Sequence, residues 1–293
     1  MDIVTHAMLG SIIGLPFVYT SPVIASGFII GSTLPDIDAF SRVFGKYNFL
    51  KFHQTYTHSV PLIAVTACVV SVILSVAFPL LTFLPIGIAL GMIFHALLDL
   101  TNTYGIKILV PFSQKRIAYE WMFFIDAPTI ALCAVYITFI FTKLPDEIAR
   151  STSYTFCAIF LVMCILRAYG RKMAQKYAPA NTLSLIPSAF IPWIYFGSLQ
   201  DEKEVTTFKL SLLSKKVYDK KCIKIYDCDF PQIVAHRDFQ VMHSLSPLYH
   251  VVEVVDNMII CRDLRTRNFN TNFGRLDVVV DQEKNIVKTT LNV

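Results

Sequence analysis

His95 and Asp99 stand four residues apart in Phe94-His95-Ala96-Leu97-Leu98-Asp99, and Asn102 follows three residues later. On a helix that spacing stacks an imidazole, a carboxylate and an amide on one face, aiming a nitrogen and an oxygen donor at one place. Such donors suit Zn²⁺ or Mn²⁺, and an ion with an open position activates water for hydrolysis. Taken alone, the motif is weak evidence and reads sooner as a buried structural His–Asp pair. Asp36 and Asp38 in Gly31-Ser32-Thr33-Leu34-Pro35-Asp36-Ile37-Asp38 either face one cation from a proline-broken turn or end a helix in solvent. A carboxylate of this pair that does not bind metal is a candidate general base. His53 and His58 precede a long apolar helix for which Thr57 or Ser59 is a ready cap. His6 lies in the first turn of the first apolar segment, and Asp126 is the only charge in a later one.

These residues stand out against a background poor in charge. Of 293 residues, 54% are hydrophobic and 16% charged, where a soluble domain has roughly 25% charged. Residues 1–181 carry 20 charged side chains and the shorter stretch 182–293 carries 27. This predicts a polytopic α-helical membrane domain over 1–181 and a small soluble, mainly-β domain over 182–293. Apolar runs at 59–78, 82–100, 122–142 and 152–168 approach the ~20 residues needed to cross ~30 Å of hydrocarbon. The uncharged stretch 3–34, broken by Pro16 and Ser21-Pro22, predicts a hairpin of two short helices, 3–15 and 22–34. About six helices result.

The loops of that scheme differ in charge. Loops 35–58, 101–121 and 169–181 with its flank hold ten Lys and Arg, whereas 16–21, 79–81 and 143–151 hold only Lys143 and Arg150. The excess places the three basic loops and both termini in the cytoplasm of a multi-pass protein. It also accounts for the net charge of +5, since 182–293 is nearly balanced, so no nucleic-acid partner is expected. Seven cysteines without a CxxC pair imply reduced thiols, and an N-terminus whose first cation is Arg42 implies no secretory leader.

Beyond residue 181, alternation predicts a hairpin of 193–199 with 205–213, then strands at 222–226, 249–255, 258–264, 276–280 and 285–291. The apolar stretch 183–196 contains Pro187 and Pro192 and is not expected to span. His236, His243 and His250 are read as unrelated surface residues, and Lys215-Lys216 with Lys220-Lys221 as a solvated loop.

In the six-helix scheme His6, Asp36, Asp38, His53, His58, His95, Asp99 and Asp126 all fall at the cytoplasmic side. Each ionisable group inside a bilayer costs about 2.5–3.5 kcal/mol on insertion scales, so their collection on one side calls for a shared purpose. A shared metal site meets it.

The ordered motifs Met1-Asp2-x-x-Thr5-His6-x-x-x-Gly10, Gly31-Ser32-x-Leu34-Pro35-Asp36-x-Asp38, Thr57-His58-Ser59 and His95-x-x-x-Asp99-x-x-Asn102 resemble the bacterial membrane-bound metal-dependent hydrolases, a family that includes LexA-regulated inner-membrane proteins. The likeness covers roughly residues 1–170, and the β part resembles an extension found in a subset of that family. More distantly, the motif order is similar to that of zinc-dependent phospholipase C. The resemblance implies a hydrolase of the bacterial inner membrane with His6, Asp36, Asp38, His58, His95 and Asp99 as metal ligands, and His53, Asn102 and Asp126 as additional candidates. Zn²⁺ is the expected ion, with Mn²⁺ next. The ion count stays open, because the chain lacks a later His-rich motif. A site at headgroup level implies membrane lipids as partners and a lipid or other phosphoester as substrate, with Lys51, Lys115 or Arg116 near its phosphate. A metal-ion transporter and a metal-binding scaffold without catalysis are the alternatives.

Overall fold

The computed structural model describes residues 2–141, 146–265 and 272–292. Met1, Lys143 and the side chain of Lys51 lie outside the described residues. The N-terminal hairpin forms as its prolines dictate. Helix α1 (Ile3–Gly14) is capped by Asp2, which accepts from the Thr5 amide at 3.0 Å, and ends in a 3₁₀ turn containing Pro16. Helix α2 (Pro22–Gly31) opens on a proline, where a missing amide hydrogen costs nothing.

A 3₁₀ segment, Leu34–Phe44, and the short α3 (Lys46–Phe52) follow. Phe40, Val43 and Phe44 are exposed in this segment beside Arg42, as in an interfacial amphipathic helix. Helices α4 (Val60–Ala77), α5 (Leu84–Asp99), α6 (Ala127–Phe141) and α7 (Asp146–Tyr177) complete the apolar part.

Among the described residues, four stretches are long and apolar enough to cross a membrane: Pro22–Phe44, Val60–Ala77, Pro79–Asp99 and Glu147–Tyr177. Ile3–Phe17 and Ala127–Phe139 are apolar but shorter. Val65, Val69, Val72, Ile73 and Val76 of α4 are exposed, an apolar surface of the kind a bilayer covers. Two boundaries differ from expectation. Helix α6 starts five residues into its apolar run because Asp126 accepts from the Thr129 amide at 3.2 Å and caps it there. Helix α7 continues beyond its run, since Arg, Lys, Ala and Gln on either side favour helix.

Glycines join α2 to α5. A Cβ on Gly27 would lie 2.6 Å from the Leu84 carbonyl oxygen, and one on Gly87 would lie 3.0 Å from the Ile24 Cα. Gly31 and Gly91 repeat this one turn further on, each against backbone of the other helix. Both helices therefore carry small residues at four-residue spacing, and their backbones touch. On another side, Leu9, Ile12, Leu98, Met122, Tyr136 and Phe156 form a core joining α1, α5, α6 and α7. Arg167 bonds Asp126 at 2.5 Å, both buried.

Contacts divide the chain into Met1–Tyr169 and Gly170–Val293, a division inside α7. The last turns of α7, from Gly170, belong to the second unit, where Ala174 is buried with Leu185, Tyr195 and Phe208. That unit holds two antiparallel four-stranded sheets, ordered β1-β2-β3-β4 and β5-β6-β7-β8. The expected hairpin is β2 (Ile194–Gln200) with β3 (Glu204–Ser211), Gln200 facing Val205 at the turn. The apolar stretch after 181 is β1 (Thr182–Pro187). The lysines read as a loop stand mainly on β4 (Lys216–Lys224), which has little buried surface. Strands β5 (Tyr249–Val255), β6 (Met258–Asp263), β7 (Leu276–Val280) and β8 (Ile286–Leu291) follow two short helices, α8 (Pro231–Val234) and α9 (Arg237–Leu245). His250 is not a surface residue: it is buried on β5 with Nδ1 2.7 Å from Asp227 Oδ2. All seven cysteines are free thiols.

Candidate metal centre

Asp36, His58, His95 and Asp99 come together although they stand on three separate segments. Each offers one ligand atom, and the four atoms lie within 4.8 Å of one another. His95 and Asp99 share the last turn of α5, as their spacing predicts. His58 comes from the turn before α4, held by Ser59, which caps that helix and donates to the Val110 carbonyl oxygen. Asp36 sits on the 3₁₀ segment just beyond α2, and so depends on the glycine contact between α2 and α5.

Protonation follows from each imidazole's second nitrogen. His95 Nδ1 is 2.8 Å from the Ser32 carbonyl oxygen, which only accepts, so Nδ1 carries a hydrogen and Nε2 faces the cluster. Thr57 donates its hydroxyl hydrogen to Asp38 Oδ2 at 2.6 Å, so its oxygen accepts from His58 Nδ1 at 3.0 Å. His58 Nε2 then also faces the cluster. The two Nε2 atoms stand 3.2 Å apart.

Asp99 is oriented likewise. Its Oδ1 faces His6 Nε2 at 3.2 Å and the Asn102 amide at 2.8 Å, while Oδ2 is 3.3 Å from His58 Nε2 and 3.5 Å from His95 Nε2. Asp36 Oδ1 is 3.5 Å from His95 Nε2. Two imidazole Nε2 atoms and two carboxylates converge at one place, a donor set that a metal ion would join. Ligand atoms ~2.0–2.1 Å from a tetrahedral ion are roughly 3.3 Å apart, and the contacts of 3.2, 3.3, 3.5 and 3.5 Å match that spacing. The residues fit a divalent metal ion. His58, His95 and Asp99 are inaccessible, whereas the Asp36 side chain is 13% exposed and marks the open side.

The other named residues surround this group. His6 stacks on His95 with ring centroids 3.6 Å apart and, with Asn102, fixes Asp99. Asp38 is outside the four: Oδ1 meets His53 Nδ1 at 2.5 Å and Oδ2 takes the Gln54 amide and Thr57 hydroxyl. A 3₁₀ helix turns about 120° per residue, so Asp36 and Asp38 point in different directions. His53 is held by Asp38 and its side chain is 25% exposed. Asp126 also lies outside the group, paired with Arg167. Arg116 donates to Gln54 Oε1 at 3.2 Å and to the Gly105 carbonyl oxygen at 2.6 Å, whereas Lys115 is exposed. Thr57 and Ser32, which orient the two imidazoles, lay hidden in motifs read only for caps and turns. Their signal is adjacency to a ligand or to the α2 glycines.

Residues 1–176, more than half of the chain, match the family described as YdjM inner membrane protein. An uncharacterized protein of Bacillus subtilis (strain 168), YfhP, is 30% identical over 129 residues, which is 40% of this chain and 39% of the relative. The match thus spans about two fifths of the relative's length. No solved structure matches significantly.

Proposed function

The chain belongs to the YdjM inner membrane protein family, and from that premise we propose that it is a membrane-bound metal-dependent hydrolase cleaving a phosphoester at the cytoplasmic membrane face. One observation carries the reading: two imidazole Nε2 atoms 3.2 Å apart, with two carboxylates at the same place. The excess of Lys and Arg on one set of loops supports the cytoplasmic assignment.

In this reading Asp36, His58, His95 and Asp99 hold a divalent ion, Zn²⁺ before Mn²⁺. When bound, it supplies Lewis acidity that polarises a phosphoryl oxygen and acidifies water. His6 and Asn102 keep one Asp99 oxygen turned away from the cluster, and Asp38, Thr57 and the Ser32 carbonyl hold the imidazoles in the ligating tautomer. Asp38 has both oxygens engaged, so the proton carrier is His53. Its Nδ1–H donates to Asp38, leaving Nε2 to take a proton from the attacking water and return it to the leaving oxygen.

The test is metal analysis by mass spectrometry on the purified protein, with assays on phosphomonoester and phosphodiester lipids. Wild type is expected to hold Zn²⁺ and turn over. His95→Ala and Asp99→Asn are expected to lose both, and turnover unchanged in them refutes the proposal. Metal uptake into proteoliposomes without turnover identifies a transporter instead.

A further inference from the structure

An apolar groove of about 570 Å³ runs between α4 and α5, within the ~300–1,000 Å³ of small-molecule sites. Its lining includes Leu34, Thr57 and Met92, each within three residues of a cluster member: Asp36, His58 and His95. From there it follows α4 as far as Leu74. We propose that this groove seats the hydrocarbon chain of a phosphate-bearing lipid whose headgroup reaches the metal centre. The proposal rests on the hydrolase reading and adds the substrate's class and orientation.

Dimensions select the occupant. Leu62 to Leu74, the α4 part of the lining, spans about 18 Å at 1.5 Å per residue, comparable with the ~15 Å depth of one leaflet. A volume of about 570 Å³ over that length gives a mean cross-section of roughly 32 Å², which suits an acyl chain, whereas a whole helix ~10 Å across would enter only by its side chains. The lining carries no charged side chain.

The end beside the cluster has the opposite character. The Lys107 amide donates to the Gln54 carbonyl oxygen at 3.3 Å, Arg116 bonds the Gln54 side chain, and the Gln54 amide bonds Asp38. The Arg116 guanidinium is thereby fixed to the strip that also carries Tyr56, Thr57 and His58, and the backbone of Lys107 joins the same strip. A lipid phosphate placed at this end has the Arg116 guanidinium near it, the metal centre beside it and its chain in the groove. Because hydrocarbon surrounds the groove outside as well, the chain gains by packing rather than by leaving water. The headgroup therefore supplies most of the affinity, and the groove sets which chain fits.

The experiment uses the full chain in nanodiscs of phosphatidylglycerol and phosphatidylethanolamine. The probe is phosphatidic acid with a photoactivatable diazirine midway along one acyl chain. Label is expected to concentrate on groove residues such as Ala67 and Ala89. Val70→Phe puts a ring into the groove wall, whereas Val72→Phe makes the same change at a position outside the lining that is 68% exposed. The first is expected to reduce groove labelling by about tenfold, the order of effect of overfilling a packed site, and the second to leave it unchanged. Equal labelling in both variants, or label spread evenly over the exposed side of α4, overturns the proposal. If Val70→Phe loses its metal, Ala67→Leu is a smaller intrusion with the same expected result. Groove labelling without any hydrolysis refutes the enzyme reading and leaves the groove assignment standing. Hydrolysis with uniform labelling does the reverse.

Discussion

Replacing Gly31 by alanine sets two physical effects against each other with opposite signs. Helix propensity alone favours alanine over glycine by about 1 kcal/mol, so a free α2 would gain stability. In the folded chain the new Cβ would lie 2.8 Å from the Ile88 carbonyl carbon and 2.9 Å from its Cα, where ordinary contact begins at 3.4 Å. The helices must part by at least 0.6 Å, the shortfall at the 2.8 Å contact. Ser32 lies next in sequence, and its carbonyl accepts from His95 Nδ1 across this same contact. Parting stretches that bond from 2.8 Å to about 3.4 Å, beyond hydrogen-bonding range. Loss of such an outer-shell partner typically costs 10–100-fold in metal affinity. Overpacking costs ~1–3 kcal/mol, which offsets or exceeds the propensity gain. Zn²⁺ affinity, measured by competition with a chromogenic chelator in detergent, is expected to fall at least about tenfold, while the melting temperature stays level or falls. Gly27→Ala, one turn further from the cluster, is expected to weaken Zn²⁺ less. An unchanged affinity with a higher melting temperature in Gly31→Ala refutes the packing argument.

His53→Ala is expected to lower kcat by about 10²–10⁴ with Zn²⁺ affinity intact, and added imidazole to restore part of the rate; loss of metal instead makes His53 a ligand. Arg167→Met leaves Asp126 charged and buried without its partner, a cost of about 3–5 kcal/mol, and adding Asp126→Leu is expected to recover most of it. Thermal unfolding checks this, and an unchanged midpoint in the single variant contradicts a buried pair. Chelation is expected to speed hydrogen exchange in residues 53–59 and the last turn of α5 while leaving β1–β8 unchanged; uniform exchange across both units speaks against local metal coupling.

The helices α4 and α5 were legible because an uncharged run of membrane length has few other uses. Asp36, His58, His95 and Asp99 were legible because titratable side chains in such surroundings require a reason and these fall on one side. Asp38 looked equivalent to Asp36 because residue type says nothing about direction, which the 3₁₀ turn decides. Asp126 looked like another ligand because Arg167, its partner, stands 41 residues away on a different helix. The four glycines of α2 and α5 carry a visible signal, small residues spaced by four in two apolar stretches, but spacing alone does not say which stretch faces which. The burial of His250 depends on pairing with Asp227 across 23 residues, and no local pattern announces it.

The backbone contact between α2 and α5 also constrains the order in which the protein is built. Membrane helices insert individually before they associate, and α4, which lies between α2 and α5 in the chain, has only 6% of its span buried. Insertion alone therefore creates no ligand set: after it, His95 and Asp99 stand on one helix, Asp36 on the 3₁₀ segment beyond α2 and His58 in the turn before α4. The four donors meet only when the glycine faces have docked across the intervening helix. If these four donors hold a metal, as proposed, its capture is a late event that reports correct assembly, and a chain with α2 docked elsewhere lacks the site, however well each helix has inserted.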